Sequence, residues 1–310
     1  MMRLFACVTC AVALAAAPVA AQKKAAPQSA AKKAAAKPDM LATQVLLDRA
    51  GFSPGEIDGA GGPNTQHAIA AYEAAKKTST ADALAAAEPA TISYTITAED
   101  ESAPKTPNIP EDMMEKANLK RLDYSSMLEM LAERFHASPA LLKKLNPAAK
   151  FAAGEQITVP NVNVVSAAEG KPVPNITVTV SKQKSTLTVT DASGAVVMHA
   201  PVTSGSERDP LPIGSWTVTA VARNPSFNYN PDLFWDADPA HAKAKIPPGP
   251  NGPVGVVWID INKPHYGIHG TPEPGTVGHT SSHGCVRLTN WDALKLAAMV
   301  GKGTKVEFTN

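Results

Sequence analysis

The stretch HTSSHGCVRL, His279 to Leu288, sets Cys285, one of only three cysteines, two residues after a histidine. His265, His269, His279 and His283 all precede that thiol at short range. Two chemistries use such a set. A zinc site takes His and Cys at close spacing, and the pairs 265/269 and 279/283 are each four apart, which on a helix aims both rings to one side. Pro264, Gly267, Gly270, Pro272, Pro274, Gly275 and Gly278 exclude a helix through most of this segment. In strands and turns the four-residue spacing loses its meaning, so no metal is expected. The second chemistry is a thiol nucleophile with a histidine base. A free cysteine has a pKa of ~8.5, and a neighbouring imidazolium lowers it, raising the thiolate fraction at neutral pH. The base then needs a third group to orient it. In a strand–turn arrangement Cys285 and His269 can meet across strands. His283 projects to the same side as Cys285 unless a turn at Gly284 redirects it. Backbone N–H groups around Gly284 and Cys285 suit an oxyanion, since glycine lets a carbonyl approach closely.

The thiol gains weight from the other end of the chain. MMRLFACVTCAVALAAAPVAAQ places Arg3 before an apolar run from Leu4 to Ala17, with small residues at Val19 and Ala21. That is the pattern of a cleaved secretory signal ending at Ala21, and the run is shorter than the ~20 apolar residues of a spanning helix. Cleavage removes Cys7 and Cys10 and leaves Cys285 alone in an exported protein, with no internal disulfide possible: a buried inert thiol or a reactive one. No transmembrane span is expected in the mature chain. Lys and Arg number 29 against 28 Asp and Glu in 310 residues, so no electrostatic case exists for nucleic acid or a membrane surface. All four tryptophans, at 216, 235, 258 and 291, fall in the last hundred residues, where the largest core is expected.

The elements that must position Cys285 follow from patterning. Residues 174–309 alternate as strands, with hairpin turns at 182–184 and 192–194. GSWTVTAVA, GVVWIDI, YGIHG and TKVEFT add strands, and NWDALKLAAMV reads as a helix capped by Asn290. The Pro-rich stretch 223–253 lacks periodicity, and a loop that long is usually a lid or binding loop. The expected architecture is a mainly β, antiparallel sandwich with little helix.

Upstream, residues 22–38 read as a flexible Lys/Ala tether. Residues 39–78 read as two helices about a Gly/Pro/Asn turn, with Thr65 a candidate N-cap. Residues 79–91 read as an Ala/Thr-rich linker. Residues 91–163 run strand, helix, helix, strand, with a Pro-rich interruption after SYTITAED. The turn residues Gly55, Ile57, Asp58, Gly59, Gly62 and Thr65 resemble the small peptidoglycan-binding domain of bacterial wall enzymes. Leu131-Ala132, Leu145-Asn146, Gly154 and Val159-Pro160 resemble the α+β LysM fold, which grips N-acetylglucosamine-containing glycans. About two dozen extra residues separate its first strand from its first helix, where LysM has a short turn lining its sugar groove.

YGIHG followed twelve residues later by SHGCVRL resembles the L,D-transpeptidase (YkuD) catalytic domain. GPNGPVGVVWI, IHGTPEP and HGCVRLTNWDA look like its periplasmic Gram-negative branch, and the resemblance covers nearly all of 174–309. It implies Cys285 as nucleophile, His269 as general base and acid, and the Gly270 carbonyl as the group orienting that base. It implies His283 and Gly284 as shapers of the oxyanion pocket. Arg287, where many members carry asparagine, is implied to bind a stem-peptide carboxylate, with a purely structural ion pair as the alternative. Ser282 and Tyr266 are the remaining substrate-side candidates, Tyr266 with simple packing as its alternative. His265 and His279 are expected at the surface or behind the site. Leu211-Pro212-Ile213-Gly214 stands where the family has Thr-Pro-x-Gly.

The resemblance implies a periplasmic wall enzyme without cofactor, carbapenem-sensitive, whose partners are peptidoglycan stem peptides and glycan strands. It would transfer a donor tetrapeptide, with release of D-alanine, to an amine and form 3→3 cross-links. Water as acceptor would make it a carboxypeptidase or endopeptidase, and a lysine of an outer-membrane protein would make it an anchoring enzyme. A silent wall-binding scaffold is the reading from another class.

Overall fold

The computed structural model describes residues 39–164 and 170–310. The expected export signal at 1–21 and the tether at 22–38 lie outside the described residues.

Helix α1 (Met40–Arg49) starts at Asp39, whose carboxylate accepts the Ala42 N–H. Helix α2 (Pro63–Lys76) starts from Gly62 with Pro63 in its first turn, where a missing N–H costs nothing. Thr65 is therefore not the cap. It is buried, and its hydroxyl accepts from Gln44, whose amide also holds Asp58 and Ala60 at 2.9 Å. Gln44 thus organises the whole Gly-rich turn. The stretch read as linker holds a further short helix, α3 (Thr80–Ala85).

Strand β1 (Thr91–Thr95) pairs antiparallel with β2 (Gln156–Pro160). Between them come α4 (Ala98–Ser102), α5 (Met113–Ala117), α6 (Met127–Arg134) and α7 (Pro139–Leu145). The expected strand–helix–helix–strand order is present, and the extra residues before α6 hold two short helices. Val45 and Ile57 from the α1–α2 hairpin share one core with Leu131, Phe135, Leu142 and Val159. The hairpin and this module therefore pack as one body.

The remaining strands are β3 (Thr177–Ser181), β4 (Thr186–Thr190), β5 (Val196–Pro201), β6 (Thr203–Ser204), β7 (Gly214–Arg223), β8 (Phe227–Tyr229), β9 (Ala244–Ile246), β10 (Val257–Ile261), β11 (Gly267–His269), β12 (Val286–Arg287) and β13 (Lys305–Thr309). Nine of them form one sheet in the order β5-β4-β3-β13-β7-β10-β11-β12-β6. The two ends of that order, β5 and β6, are consecutive in the chain, so the sheet curls back on itself. Helix α8 (Asn290–Met299) packs on β10 and β11, and its Ala293, Leu296 and Ala297 join the same core as Val178, Ile259 and Phe308.

Two expectations need correction. The sheet is mainly β as expected but not purely antiparallel: β13 lies parallel to β3, and β11 parallel to β12. Parallel neighbours need a long crossover, and residues 270–285 supply one between β11 and β12. Helix α8 is capped by Thr289, which accepts the Asp292 N–H at 3.2 Å, and Asn290 is its first helical residue. The aperiodic stretch 223–253 contains the antiparallel ribbon β8–β9, a cap over the open end of β11 and β12.

Candidate active site

The parallel pairing of β11 with β12 sets Ile268 beside Val286 and His269 beside Arg287. Side chains alternate across a strand, so Arg287 shares its face with His269. Cys285, the residue before β12, lies opposite Gly267 and receives that residue's backbone N–H at its sulfur. Its S–H faces the His265 carbonyl at 3.6 Å. Cys285, His269, Arg287 and Tyr266 all line one cavity of about 850 Å³ under the cap. Sixteen residues apart in sequence, the thiol and the imidazole open onto the same space.

His269 is buried, and its Nδ1 donates to the Gly270 carbonyl at 2.7 Å. A carbonyl only accepts, so the proton resides on Nδ1 and Nε2 keeps a free lone pair. The ring stacks on Trp258, its cross-strand partner, at 5.4 Å between centroids and 18° between planes. Trp258 also explains Gly267, where a Cβ would lie 2.5 Å from the indole. Behind Gly270 stands the fully buried Asn290. Its Oδ1 would sit 2.2 Å from a Cβ at Gly270, it accepts the Val256 N–H at 3.1 Å, and its Nδ2 donates to Glu133 of α6 at 3.0 Å. Glu133 in turn accepts from Tyr124 at 2.7 Å, and burial pushes its carboxyl up to about 7.

The electrostatics correct one expectation. Burial pushes His269 down to about 4, with the Arg287 charge acting in the same direction and the Gly270 carbonyl opposing it. Burial pushes the Cys285 thiol up, against the opposing Gly267 N–H and Arg287. Both shifts favour the uncharged forms, opposite in direction to a thiol held as thiolate by an imidazolium.

The other candidates divide. Ser282 donates to the Cys285 carbonyl at 2.6 Å. Its hydroxyl closes the turn that holds Gly284 at φ +99°, and the residue also lines the cavity. Tyr266 lies against Gly284, where a Cβ would come within 2.6 Å of the ring. The His283 ring turns to the cap. Its Nε2 meets Asp236 at 2.9 Å, and Phe234 and Trp235 flank it. Arg287 has no carboxylate within 4 Å among the described residues, so none of these supplies a structural ion pair for it. His265 reaches the cavity, whereas His279 stands apart, 3.4 Å from Asn64 of α2. Among the described residues no group of three or more His, Cys, Asp or Glu is placed to hold a metal ion.

Sequence reasoning missed Trp258, Asn290 and Asp236. The alternation of VVWIDI marked Trp258 as a strand residue, but only the register shows which histidine it meets. Asn290 was visible as a residue near a helix start, and its link to Gly270 depends on tertiary packing.

Residues 175–308 match the family model of YkuD, the L,D-transpeptidase catalytic domain. A putative L,D-transpeptidase YkuD of Bacillus subtilis is 29% identical over 186 residues, covering 58% of this chain and 91% of that protein. The putative L,D-transpeptidase YkuD of Bacillus licheniformis is 48% identical over 62 residues, covering 20% of this chain but only 38% of its own length. An L,D-transpeptidase structure from Mycobacterium smegmatis overlaps 44% of this chain and 59% of its own, at 21% identity and a TM-score of 0.36, too slight to carry any inference. Residues 175–308 are thus the part of the chain that is similar to the L,D-transpeptidase catalytic domain.

Proposed function

We propose that this protein is an exported, periplasmic enzyme that transfers acyl groups between peptidoglycan stem peptides, with Cys285 as nucleophile and His269 as base. One observation carries the reading: a buried imidazole, its Nδ1 tied to a carbonyl at 2.7 Å, opens with a lone thiol onto one roomy cavity. His269 Nε2 takes the thiol proton as the sulfur attacks the carbonyl between the L-centre of diaminopimelate and the fourth-position D-alanine. The C–S bond forms, the C–N bond breaks, and D-alanine leaves with the proton held by His269. The side-chain amine of a second stem then attacks the thioester, gives its proton to His269 and restores the thiol. A neutral resting pair suits this route, because proton and acyl group move together and no thiolate has to be stored. The N–H groups of Gly284 and Cys285 serve the oxyanion, and Arg287, with no carboxylate partner among the described residues, takes a stem carboxylate.

The hairpin and the strand–helix module supply wall affinity in this reading, which raises effective substrate concentration near an insoluble polymer. Among the described residues no helix is long and apolar enough to cross a membrane. No observation favours a protein lysine as acceptor. Cys285→Ala is expected to abolish D-alanine release from sacculi while leaving sedimentation with them intact. Mass spectrometry of the digested sacculi reads the acceptor: 3→3 dimers mean an amine, and trimmed tripeptides alone mean water and reject cross-linking.

A further inference from the structure

The extra residues between β1 and α6 do not lie idle on their own module. Leu122 pairs with the chain just beyond the cap: its N–H donates to the Pro248 carbonyl and its carbonyl accepts from Asn251, both at 3.0 Å. The approach is so close that a Cβ at Gly249 would lie 2.1 Å from the Leu122 oxygen. Leu122 also forms a small buried core with Tyr229 of β8 and Ile246 of β9, joined by Met113 and Phe234. A polar link runs alongside. His241 meets Asp112 through Nε2 at 2.8 Å and the Tyr229 hydroxyl through Nδ1 at 2.9 Å. Met113 itself reaches the catalytic cavity.

Strands β8 and β9 are three residues each, and a two-stranded ribbon of that length does not hold its shape alone. Its inner side nevertheless carries Asp236, which holds His283, two residues from the nucleophile. The catalytic region touches the cap through His283 on Asp236 and Arg208 over Trp235 at 4.4 Å, and residues 109–122 pack on it from outside that region.

We propose that the segment 103–124 is a working wall of the catalytic cavity, in which Asp112 and Leu122 hold the β8–β9 cap in place and Met113 limits the room for the donor stem. The part assigned to Met113 rests on the cavity being the stem-peptide site. Asp112 and Leu122 are positioning residues, acting through the cap.

The test uses the full chain and three variants. Asp112→Ser keeps a capping oxygen for α5 but loses the one on His241. Leu122→Ala removes the apolar anchor, and Met113→Ala removes only the side chain at the cavity. Hydrogen exchange in 227–246 is expected to quicken about tenfold in the first two, with 186–201 unchanged. KM for a disaccharide tetrapeptide is expected to rise about fivefold in those variants and to shift in Met113→Ala, with kcat and the rate of Cys285 alkylation by iodoacetamide within about twofold of wild type. Cap exchange at the wild-type rate in both Asp112→Ser and Leu122→Ala overturns the brace. KM unchanged in all three variants, or a parallel fall in kcat and alkylation, overturns the wall. Wild-type protein that releases no D-alanine refutes the proposed function instead, and the exchange measurement still decides whether the segment holds the cap.

Discussion

Two buried histidines lie flat against tryptophans in this molecule, and they differ in what their Nδ1 meets. His269 stacks on Trp258 and meets the neutral Gly270 carbonyl. His136, between α6 and α7, stacks on Trp291 at 5.1 Å and meets the Asp48 carboxylate at 3.0 Å. Lys295 of α8 meets the same carboxylate at 3.1 Å, and Ser53 closes the cluster by donating to Asp292 at 2.7 Å. Burial alone would raise Asp48, but the charges of His136 and Lys295 outweigh it and hold the carboxyl well below its usual range. The carboxylate makes His136 part of an ionic lock joining hairpin, strand–helix module and catalytic sheet. The carbonyl leaves His269 oriented but uncommitted, free to accept a proton and return it. The same ring in the same kind of slot is structural or chemical according to one neighbour.

The comparison breaks if either histidine behaves like the other. His269→Gln is expected to lower turnover by about 10²- to 10⁴-fold, with the melting temperature nearly unchanged, in paired kinetic and thermal scans. Asp48→Ala leaves Lys295 and His136 facing each other without their shared countercharge. It is expected to cost about 3–5 kcal/mol in urea unfolding, while protein that is still folded retains D-alanine release. A turnover loss in Asp48→Ala as deep as in His269→Gln would mean that the lock belongs to the catalytic machinery.

Smaller effects sharpen the contrast. Because burial raises the thiol, alkylation of Cys285 by iodoacetamide at pH 7 is expected to run about tenfold slower than that of free cysteine and to climb only above the usual thiol range. A fast, pH-independent reaction at pH 6–7, measured as the rate of peptide modification, would show a resting thiolate. Glu133, behind Asn290, tests the neutral side of the comparison most gently. Burial holds its folded pKa at about 7, above the ordinary glutamate value of 4.5. Its contribution is thus greatest below pH 4.5 and is lost as pH rises to 7. His269, whose folded value of about 4 lies below 6.5, acts with the opposite sign over much of that window. The stability difference between wild type and Glu133→Gln isolates the carboxyl, and it is expected to decline from pH 4.5 to 7 and then flatten. A flat difference curve across that window removes the raised carboxyl.

Much of the catalytic region was legible in the residues. The alternation in TVTVS and KVEFT set Val178, Val180, Val306 and Phe308 inward, as the structure has them. The glycines and prolines of 264–278 excluded an α-helix, and the segment holds the short β11 and a single 3₁₀ turn at Pro274–Thr276. Caps were less legible. Thr65 and Asn290 look like caps by type, but each was drawn into a buried hydrogen-bond network that lies far off in sequence, and a neighbour took its place. The Ser282 hydroxyl went to a turn, and the His283 ring to a cap whose existence no periodicity announced.

What the sequence determined by itself is the chemistry on offer: the Cys285 thiol close behind four histidines, in a segment of strand and turn, with a long aperiodic stretch nearby. Local residue type and spacing decide this much, because the preferences of glycine, proline and alternating apolar residues act over a few positions. The tertiary structure decided the rest. It set His269 on the same face as Arg287, opening onto the cavity that Cys285 lines, through the parallel register of β11 and β12. It shifted both groups toward their uncharged forms, through burial. It placed an upstream segment against the cap. Register, desolvation and contact between distant segments are properties of packing, and they arise only when the chain has closed around them.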